Sequence, residues 1–184
     1  MIARLFILLI LVSGFQAYAA EAPKSTPLTR LNDATKKMLT GLDKNQTLQF
    51  AAIRNNHGII RAVEDVEDNI TSANTSCSKA HPEFANAMNT RVDQWKADID
   101  PLLVQARDKL STMIKLQDFA KPAEARGYLK QIDEAVAYKN RNLKLIPITD
   151  KEECRKLLVK MDDTQEDLKK LLVESMDLDK PIAQ

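Results

Sequence analysis

The sequence predicts an all-α protein: an elongated antiparallel up-down helical bundle of four long helices and a short N-terminal helix, held by one disulfide. Apolar residues recur at steps of three and four through every long segment, which is the spacing of one helix face. Aromatic residues make up only 5% of the chain, with 4 Gly and 7 Pro, and this composition favours helices over strands. Two cysteines, Cys77 and Cys154, fall at predicted helix ends.

A glycine separates the first two predicted helices. The short first helix covers about 28–42, with Gly41 near its end, where glycine commonly terminates a helix. Asp43 followed by Gln46 matches a capping box that opens the second helix. The second helix runs to about Ser78, and its inward stripe consists of Ala52, Asn56, Ile59, Val63, Val66, Ile70 and Cys77.

Prolines mark the starts of the next two helices, because proline fits the first helical position. Pro82 and Pro122 open helices over about 82–119 and 122–143. The inward residues of the fourth helix are Ala125, Leu129, Ile132, Val136 and Leu143. Pro101 is expected to kink the third helix, and the cavity beside the kink is a predicted site for a small apolar ligand.

The fifth helix follows an extended segment over 144–148, since Pro147 disfavours helix in the residue before it. Thr149 with Glu152 matches a second capping box. The inward stripe of this last helix is Cys154, Leu157, Met161, Thr164, Leu168, Leu171 and Ser175.

Helix lengths bring the two cysteines to one end of the bundle. The third helix descends roughly 55 Å, and the fourth helix with the extended segment climbs back about 49 Å. Cys77, at the top of the second helix, therefore meets Cys154, in the first turn of the fifth. Because an exported chain enters an oxidising compartment, this pair is expected to form a disulfide.

The first nineteen residues have the features of a cleaved signal peptide. Arg4 precedes an apolar run over 5–12, and Ala17 and Ala19 occupy positions −3 and −1 of a cut before Ala20. The run is shorter than the about 20 residues that span a bilayer. We expect an exported protein, with the bacterial periplasm favoured and the extracellular space as the alternative.

The expected organisation is a single domain. The signal peptide covers residues 1–19, and the N-terminal extension covers 20–27. The bundle covers 28–176, and the C-terminal tail covers 177–184. Removing Arg4 leaves 27 − 1 = 26 basic side chains against 26 acidic ones, and no basic block indicates nucleic acid. The expected partner is another protein or a cell-envelope component, and the mature chain is not expected to be an integral membrane protein.

Three Asn-x-Ser/Thr sequons begin at Asn45, Asn69 and Asn74. They match the acceptor pattern for N-glycosylation. The pattern has meaning only if the host is a eukaryote, and the sequence leaves that open.

The segment from Arg54 to Gly58, RNNHG, interrupts the apolar pattern of the second helix. At 100° per residue, Asn56 falls at the centre of the inward stripe, Asn55 and His57 fall on opposite flanks, and the outer two residues face water. The four residues Asn55, Asn56, His57 and Gly58 are therefore not expected to converge on one site. Since a single buried asparagine can fix register between helices, we favour that role for Asn56 over a ligand contact.

A metal site is an alternative interpretation of His57. Asp100 and Asp133 are expected near its level on the third and fourth helices, and together these residues offer one imidazole and two carboxylates. Metal sites in helical bundles typically use Glu-x-x-His pairs, a pattern that the sequence lacks. We therefore interpret His57 as a histidine at the rim of the core, and no cofactor is predicted.

Catalytic patterns are weak. The segment MDDTQEDL places Asp162, Asp163, Glu166 and Asp167 on a face that alternates with lysines, as is usual for a solvated helix surface. The chain has no Gly-rich phosphate loop, G-x-S-x-G or H-E-x-x-H. We expect binding rather than catalysis, and the alternative function is carriage of a small apolar ligand or a metal between helices near Pro101 and His57.

Overall fold

A computed structural model describes residues 25–144 and 146–179. Within these ranges the chain forms α-helices and no strand, so the predicted all-α bundle is confirmed. The helices are α1 (Pro27–Leu39), α2 (Lys44–Ala80), α3 (Ala85–Leu116), α4 (Pro122–Asn140) and α5 (Lys151–Ser175), with a short 3-10 turn (Pro82–Phe84) before α3. The expected signal peptide, most of the N-terminal extension and residues 180–184 of the tail lie outside the described residues.

A long antiparallel hairpin of α2 and α3 forms the centre of the molecule. We call the end at the turn Pro82–Phe84 the upper end. Helix α5 starts there and packs against both hairpin helices, whereas α4 packs chiefly against α1 beside the lower half of the hairpin. Helices α1 and α4 run antiparallel, because Arg30 pairs with Glu134 and Thr35 hydrogen-bonds Tyr128 across them. Helices α4 and α5 therefore cover different parts of α2.

The core runs the length of the hairpin. Trp95 is fully buried, together with large side chains from all three helices of the upper half: Val63, Cys77, Met88, Ile99, Leu103, Cys154, Met161 and Leu172. Burying one large apolar side chain contributes about 1.5–3 kcal/mol, so this continuous seam supplies most of the driving force for packing.

The inward stripe of α2 changes direction in its lower half. Phe50 is buried there, and its ring lies 5.1 Å from that of Tyr128 on α4. The predicted core residues Ala52 and Ile59 are only half-buried. The reason is the arrangement of neighbours: α4 covers the flank that carries Phe50, while α5 ends beside the flank that carries Ile59.

Most predicted helix ends are confirmed. Gly41 has a φ of +81° and follows the end of α1, since glycine adopts this left-handed conformation without steric cost. The Asp43 carboxylate accepts a hydrogen bond from the Gln46 backbone amide, and the Gln46 side-chain oxygen accepts one from the Asp43 backbone amide. The predicted capping box at Thr149 is wrong: the carboxylate of Asp150 caps α5, accepting both first-turn amide bonds at 3.0 Å.

Two predicted faces need correction. On α4, Val136 and Leu143 are exposed rather than inward, because the helix packs mainly on α1 and ends at Asn140. On α5, Gln165 is buried where Thr164 was expected. Gln165 can be buried because it accepts a hydrogen bond from Arg91 and donates one to Asp98, which satisfies its polar atoms.

The predicted disulfide is confirmed. Cys77 and Cys154 are bonded, both are fully buried, and their Cα atoms lie 5.7 Å apart. The bond ties the last turns of α2 to the first turn of α5 across a sequence separation of 77 residues. Closing a loop of this length stabilises the fold by about 4 kcal/mol in the chain-entropy picture.

The predicted tail boundary at residue 177 falls inside a structured turn. Met176 is buried and Leu178 packs against the core. The backbone carbonyl of Asp177 also accepts a hydrogen bond of 2.7 Å from Lys109. These contacts hold the end of α5 against α3.

Candidate functional site

The RNNHG segment borders two clefts on different flanks of α2. We call the first the α5-end groove; its volume is about 620 Å³, and it is lined by Ala52, Arg54, Asn55, Asn56, Gly58, Ile59, Ala62, Leu171 and Ser175. We call the second the basic cleft; its volume is about 320 Å³, and it is lined by His57, Ile60, Arg61, Glu64, Arg107, Leu110, Ser111, Ile114, Arg126 and Asp133. Both volumes fall in the usual range for ligand sites. Arg54, Asn55, Asn56 and Gly58 thus line one groove, which differs from the expectation that the segment does not converge, and of this segment only His57 lines the other cleft.

Asn56 is the buried polar group of the α5-end groove. Its residue is 8% exposed, and its Nδ2 donates to the sulfur of Met113 at 3.0 Å. A thioether is a weak acceptor. Among the described residues the side-chain oxygen of Asn56, Oδ1, accepts no hydrogen bond, and Asn56 lines the groove. Gly58 leaves space beside it, because a Cβ there would meet nothing within 4 Å.

An apolar stripe continues from this groove toward the lower end. Leu48 is 60% exposed and precedes Ala52 by one helical turn, so it continues the stripe of Asn55 and Ile59. On α3, Leu116 is 58% exposed and lies about one turn beyond Met113, the residue that contacts Asn56. Because α5 ends at Ser175, this part of the α2–α3 surface has no helix over it within the described chain.

The basic cleft contains an ion-pair network between α2, α3 and α4. The His57 side chain is 12% exposed, and its Nε2 lies 2.9 Å from Asp133 Oδ1. Arg61 Nε lies 3.6 Å from the same oxygen. Glu64 accepts from Arg61, and its Oε1 accepts from Arg107 Nη2 at 2.7 Å and Nε at 3.1 Å. The network therefore cross-links three helices through one acidic residue on α2 and one on α4.

The lining of the cleft holds three guanidinium groups against two carboxylates, before His57 is counted. A third carboxylate, that of Asp65, pairs with Arg61 at 3.2 Å. Burial acts to lower the pKa of Arg61, but the charge and hydrogen bond of Glu64, with the charges of Asp65 and Asp133, outweigh it and raise that pKa. Arg126 is exposed, and within the described residues no carboxylate pairs with it.

The structure brings together two of the three residues of the metal hypothesis. His57 and Asp133 are in contact, whereas Asp100 is exposed and acts electrostatically on Lys96, away from the basic cleft. In the part of the chain that the structure describes, no group of three or more His, Cys, Asp or Glu side chains is arranged to hold a metal ion. Protein metal centres usually need at least three such ligands.

The side chains that directly follow Pro101 pack into the core. Helix α3 continues through this proline, with Leu103 buried and Leu102 packed against the core. Neither of the two clefts above includes a residue from 101–106. The carboxylates of the acidic segment on α5 face solvent, and Asp162 pairs with Arg91.

Taken together, the described residues define a class: an all-α, disulfide-bonded helical bundle with the α5-end groove and the basic cleft on different flanks of α2. We found no match to this chain among protein-family models, curated proteins or solved structures. Of the helices that the structure describes, none combines the length and apolar character that a membrane crossing requires.

Proposed function

We propose that the protein is exported to the cell envelope and acts there by binding rather than catalysis, taking an amphipathic helix of a partner protein into the α5-end groove. One observation carries this proposal. Helix α5 ends at Ser175, before the lower end of the α2–α3 hairpin. The apolar stripe of α2 and α3 that α5 covers continues beyond that point, where Leu48 and Leu116 are exposed. A partner helix in this position would extend an interface that the fold already uses.

The dimensions of the groove suit a short helix. Leu48 and Ile59 are eleven residues apart on α2, which corresponds to about 17 Å or three helical turns. Covering an exposed leucine fully contributes about 1.5–3 kcal/mol, and the two leucines flank the groove from α2 and α3. The side-chain oxygen of Asn56, Oδ1, can accept a hydrogen bond from a polar side chain of the partner, which gives the contact a preferred register.

The covalent chemistry supports export. A buried disulfide between Cys77 and Cys154 fits an oxidising compartment, and the first nineteen residues carry the signal-peptide pattern. We favour the periplasm of a Gram-negative bacterium, with secretion as the alternative. Asn74 is buried and donates to Asn89, so a glycan at this sequon would not be compatible with the fold.

Site-specific photocrosslinking in the native host tests the proposed partner site. A benzophenone amino acid replaces Leu48 or Leu116 in separate variants, and Val159 serves as the control because it is an exposed apolar residue on α5. We expect the same protein adduct from the first two positions and none from the third. The captured partner is then purified, and Leu48→Asp should weaken its binding at least about tenfold, because a charge replaces a buried apolar contact.

Three outcomes contradict the proposal. They are the absence of a protein adduct at both groove positions, equal labelling at Val159, and an adduct that consists of two copies of this chain. Retained affinity in the Leu48→Asp variant, with an unchanged helical circular dichroism spectrum, would also exclude the groove as the binding surface.

Carriage of a small ligand is the second candidate function. The observation that favours it is the basic cleft beside His57, which joins apolar walls to an excess of guanidinium groups. Of the two positions expected for such a ligand, Pro101 and His57, the basic cleft lies at His57.

A further inference from the structure

We propose that the basic cleft is a binding site for a free amphiphilic anion: a carboxylate head on a short apolar chain. The site is separate from the α5-end groove, because the two clefts share no lining residue. The proposal therefore does not depend on the partner helix proposed above.

The cleft has a charged rim and an apolar floor. The floor is formed by Ile60, Leu110 and Ile114, which belong to the core cluster between α2 and α3. The rim carries Arg107 and Arg126. A ligand that combines one anionic head with an apolar chain matches both parts, whereas a small inorganic anion would leave the floor without a partner.

Arg126 is positioned to bind the head. Its guanidinium is exposed at the cleft and has no ion pair within the described residues. Arg107 directs Nε and Nη2 to Glu64, which leaves Nη1 donors for a ligand. Guanidinium groups bind carboxylates through paired hydrogen bonds, so the two arginines can share one head group.

The acidic residues of the cleft do not block an anion, because their charges are already compensated. Glu64 accepts from both Arg61 and Arg107, and Asp133 faces His57 and Arg61. An incoming carboxylate therefore meets the remaining positive charge of Arg126. The volume of about 320 Å³ lies at the small end of the range for ligand sites, which favours a short chain over a long lipid.

Isothermal titration calorimetry with sodium octanoate tests the site on the mature protein. We expect saturable binding at one site per chain. Octan-1-ol has the chain without the charge, and acetate has the charge without the chain; each should bind at least about tenfold more weakly than octanoate, because charge-assisted bonds and apolar burial both contribute.

Two variants locate the binding. Arg126→Gln removes the unpaired guanidinium without breaking an ion pair of the described fold, and it should weaken octanoate binding about tenfold. Arg54→Gln removes an exposed arginine from the α5-end groove and should leave the affinity unchanged. Equal loss in both variants would show a general charge effect and overturn the assignment.

Further results would also overturn it. Octanoate that does not bind the wild type, or that binds Arg126→Gln equally well, excludes the cleft. Cosedimentation with phosphatidylglycerol vesicles that depends on Arg126, with no binding of free octanoate, would assign the arginines to a membrane surface instead. Partner crosslinking at Leu48 is unaffected by any of these outcomes, so the two proposals fail separately.

Discussion

At the residue scale, Asn56 and His57 show how one helical step directs adjacent side chains to different surfaces. A rotation of about 100° separates them. Asn56 points between α2 and α3, where it contacts Met113, while His57 contacts Asp133 on α4. The contacts of each residue are therefore set by its neighbour on the facing helix, and the two residues do not act on each other.

Replacing Asn56 with leucine should raise the stability of the fold. The amide is buried but has only a sulfur as its acceptor, so it loses water without a full hydrogen bond in return. Removing it should increase the free energy of unfolding by about 1 kcal/mol, measured by thermal or urea unfolding followed by circular dichroism. The matched control is Asn55→Leu, at an exposed position, where a change within about 0.5 kcal/mol is expected. A loss of stability in Asn56→Leu alone would show that the amide has a structural role beyond register.

The ion pair between Lys96 and Glu67 predicts a stability change at alkaline pH. The hydrogen bond to Glu67, whose oxygen lies 3.0 Å from Nζ, raises the pKa of Lys96 despite partial burial. A raised pKa contributes stability that is complete below the ordinary lysine pKa and is lost as pH rises through the folded-state value. Lys96→Gln should therefore cost less than about 1 kcal/mol near pH 8, and the difference from the wild type should shrink near about pH 11.

The control for this experiment is Lys160→Gln, at an exposed lysine of α5. Its difference from the wild type should stay small at both pH values. A difference for Lys96→Gln that grows with pH would contradict the assigned sign.

Side chains differ in how far the sequence could predict them. The burial of Asn56 follows from helical periodicity, because the spacing of apolar residues along α2 places it on the inward stripe. Arg107 and Arg126 carried no such signal. They reach the basic cleft only because α3 and α4 pack beside α2 at that level. In a sequence with many charged residues, the pattern does not distinguish an arginine at a cleft from any other surface arginine.

At the element scale, helix ends depend on local chemistry and are mostly predictable. Gly41, Asp43 and Pro122 all mark the boundaries that the structure shows. The start of α5 differs by one residue, because Thr149 and Asp150 both suit an N-cap and only the backbone position decides between them. Pattern alone does not fix that position.

Substitutions at these two positions test the observed cap. Asp150→Ala should destabilise the fold by about 1 kcal/mol, since two first-turn amides lose their acceptor. Thr149→Ala should change the free energy of unfolding much less, as its side chain does not cap the helix. Urea unfolding followed by circular dichroism measures both changes in the free energy of unfolding. A larger loss of stability in Thr149→Ala than in Asp150→Ala would support the capping box at Thr149 that the sequence predicts.

Lateral packing of helices is harder to predict than their ends. Val136 and Leu143 fit the apolar spacing of α4 yet are exposed. Ile59 fits the apolar spacing of α2 yet is only half-buried. Periodicity identifies an apolar stripe, but burial also needs a neighbour of sufficient length. Helices α4 and α5 each cover only part of the hairpin, and that mismatch produces the α5-end groove.

At the scale of the whole molecule, the two ends of the bundle differ. The disulfide ties α2 to α5 at the upper end, while the lower half carries the α5-end groove and the basic cleft. The sequence predicts the disulfide-bonded end, because helix lengths place Cys77 and Cys154 at one level. The lower half depends on tertiary contacts of α1 and α4, which local patterns do not contain.

Non-reducing peptide mapping of protein purified from its native host tests most directly whether this chain is an exported, disulfide-bonded bundle. We predict one linked pair of peptides containing Cys77 and Cys154, and a mature N-terminus at Ala20. Two thiols that react with an alkylating agent in the purified, unreduced protein, or an intact N-terminal segment on protein that never left the cytoplasm, would contradict the account.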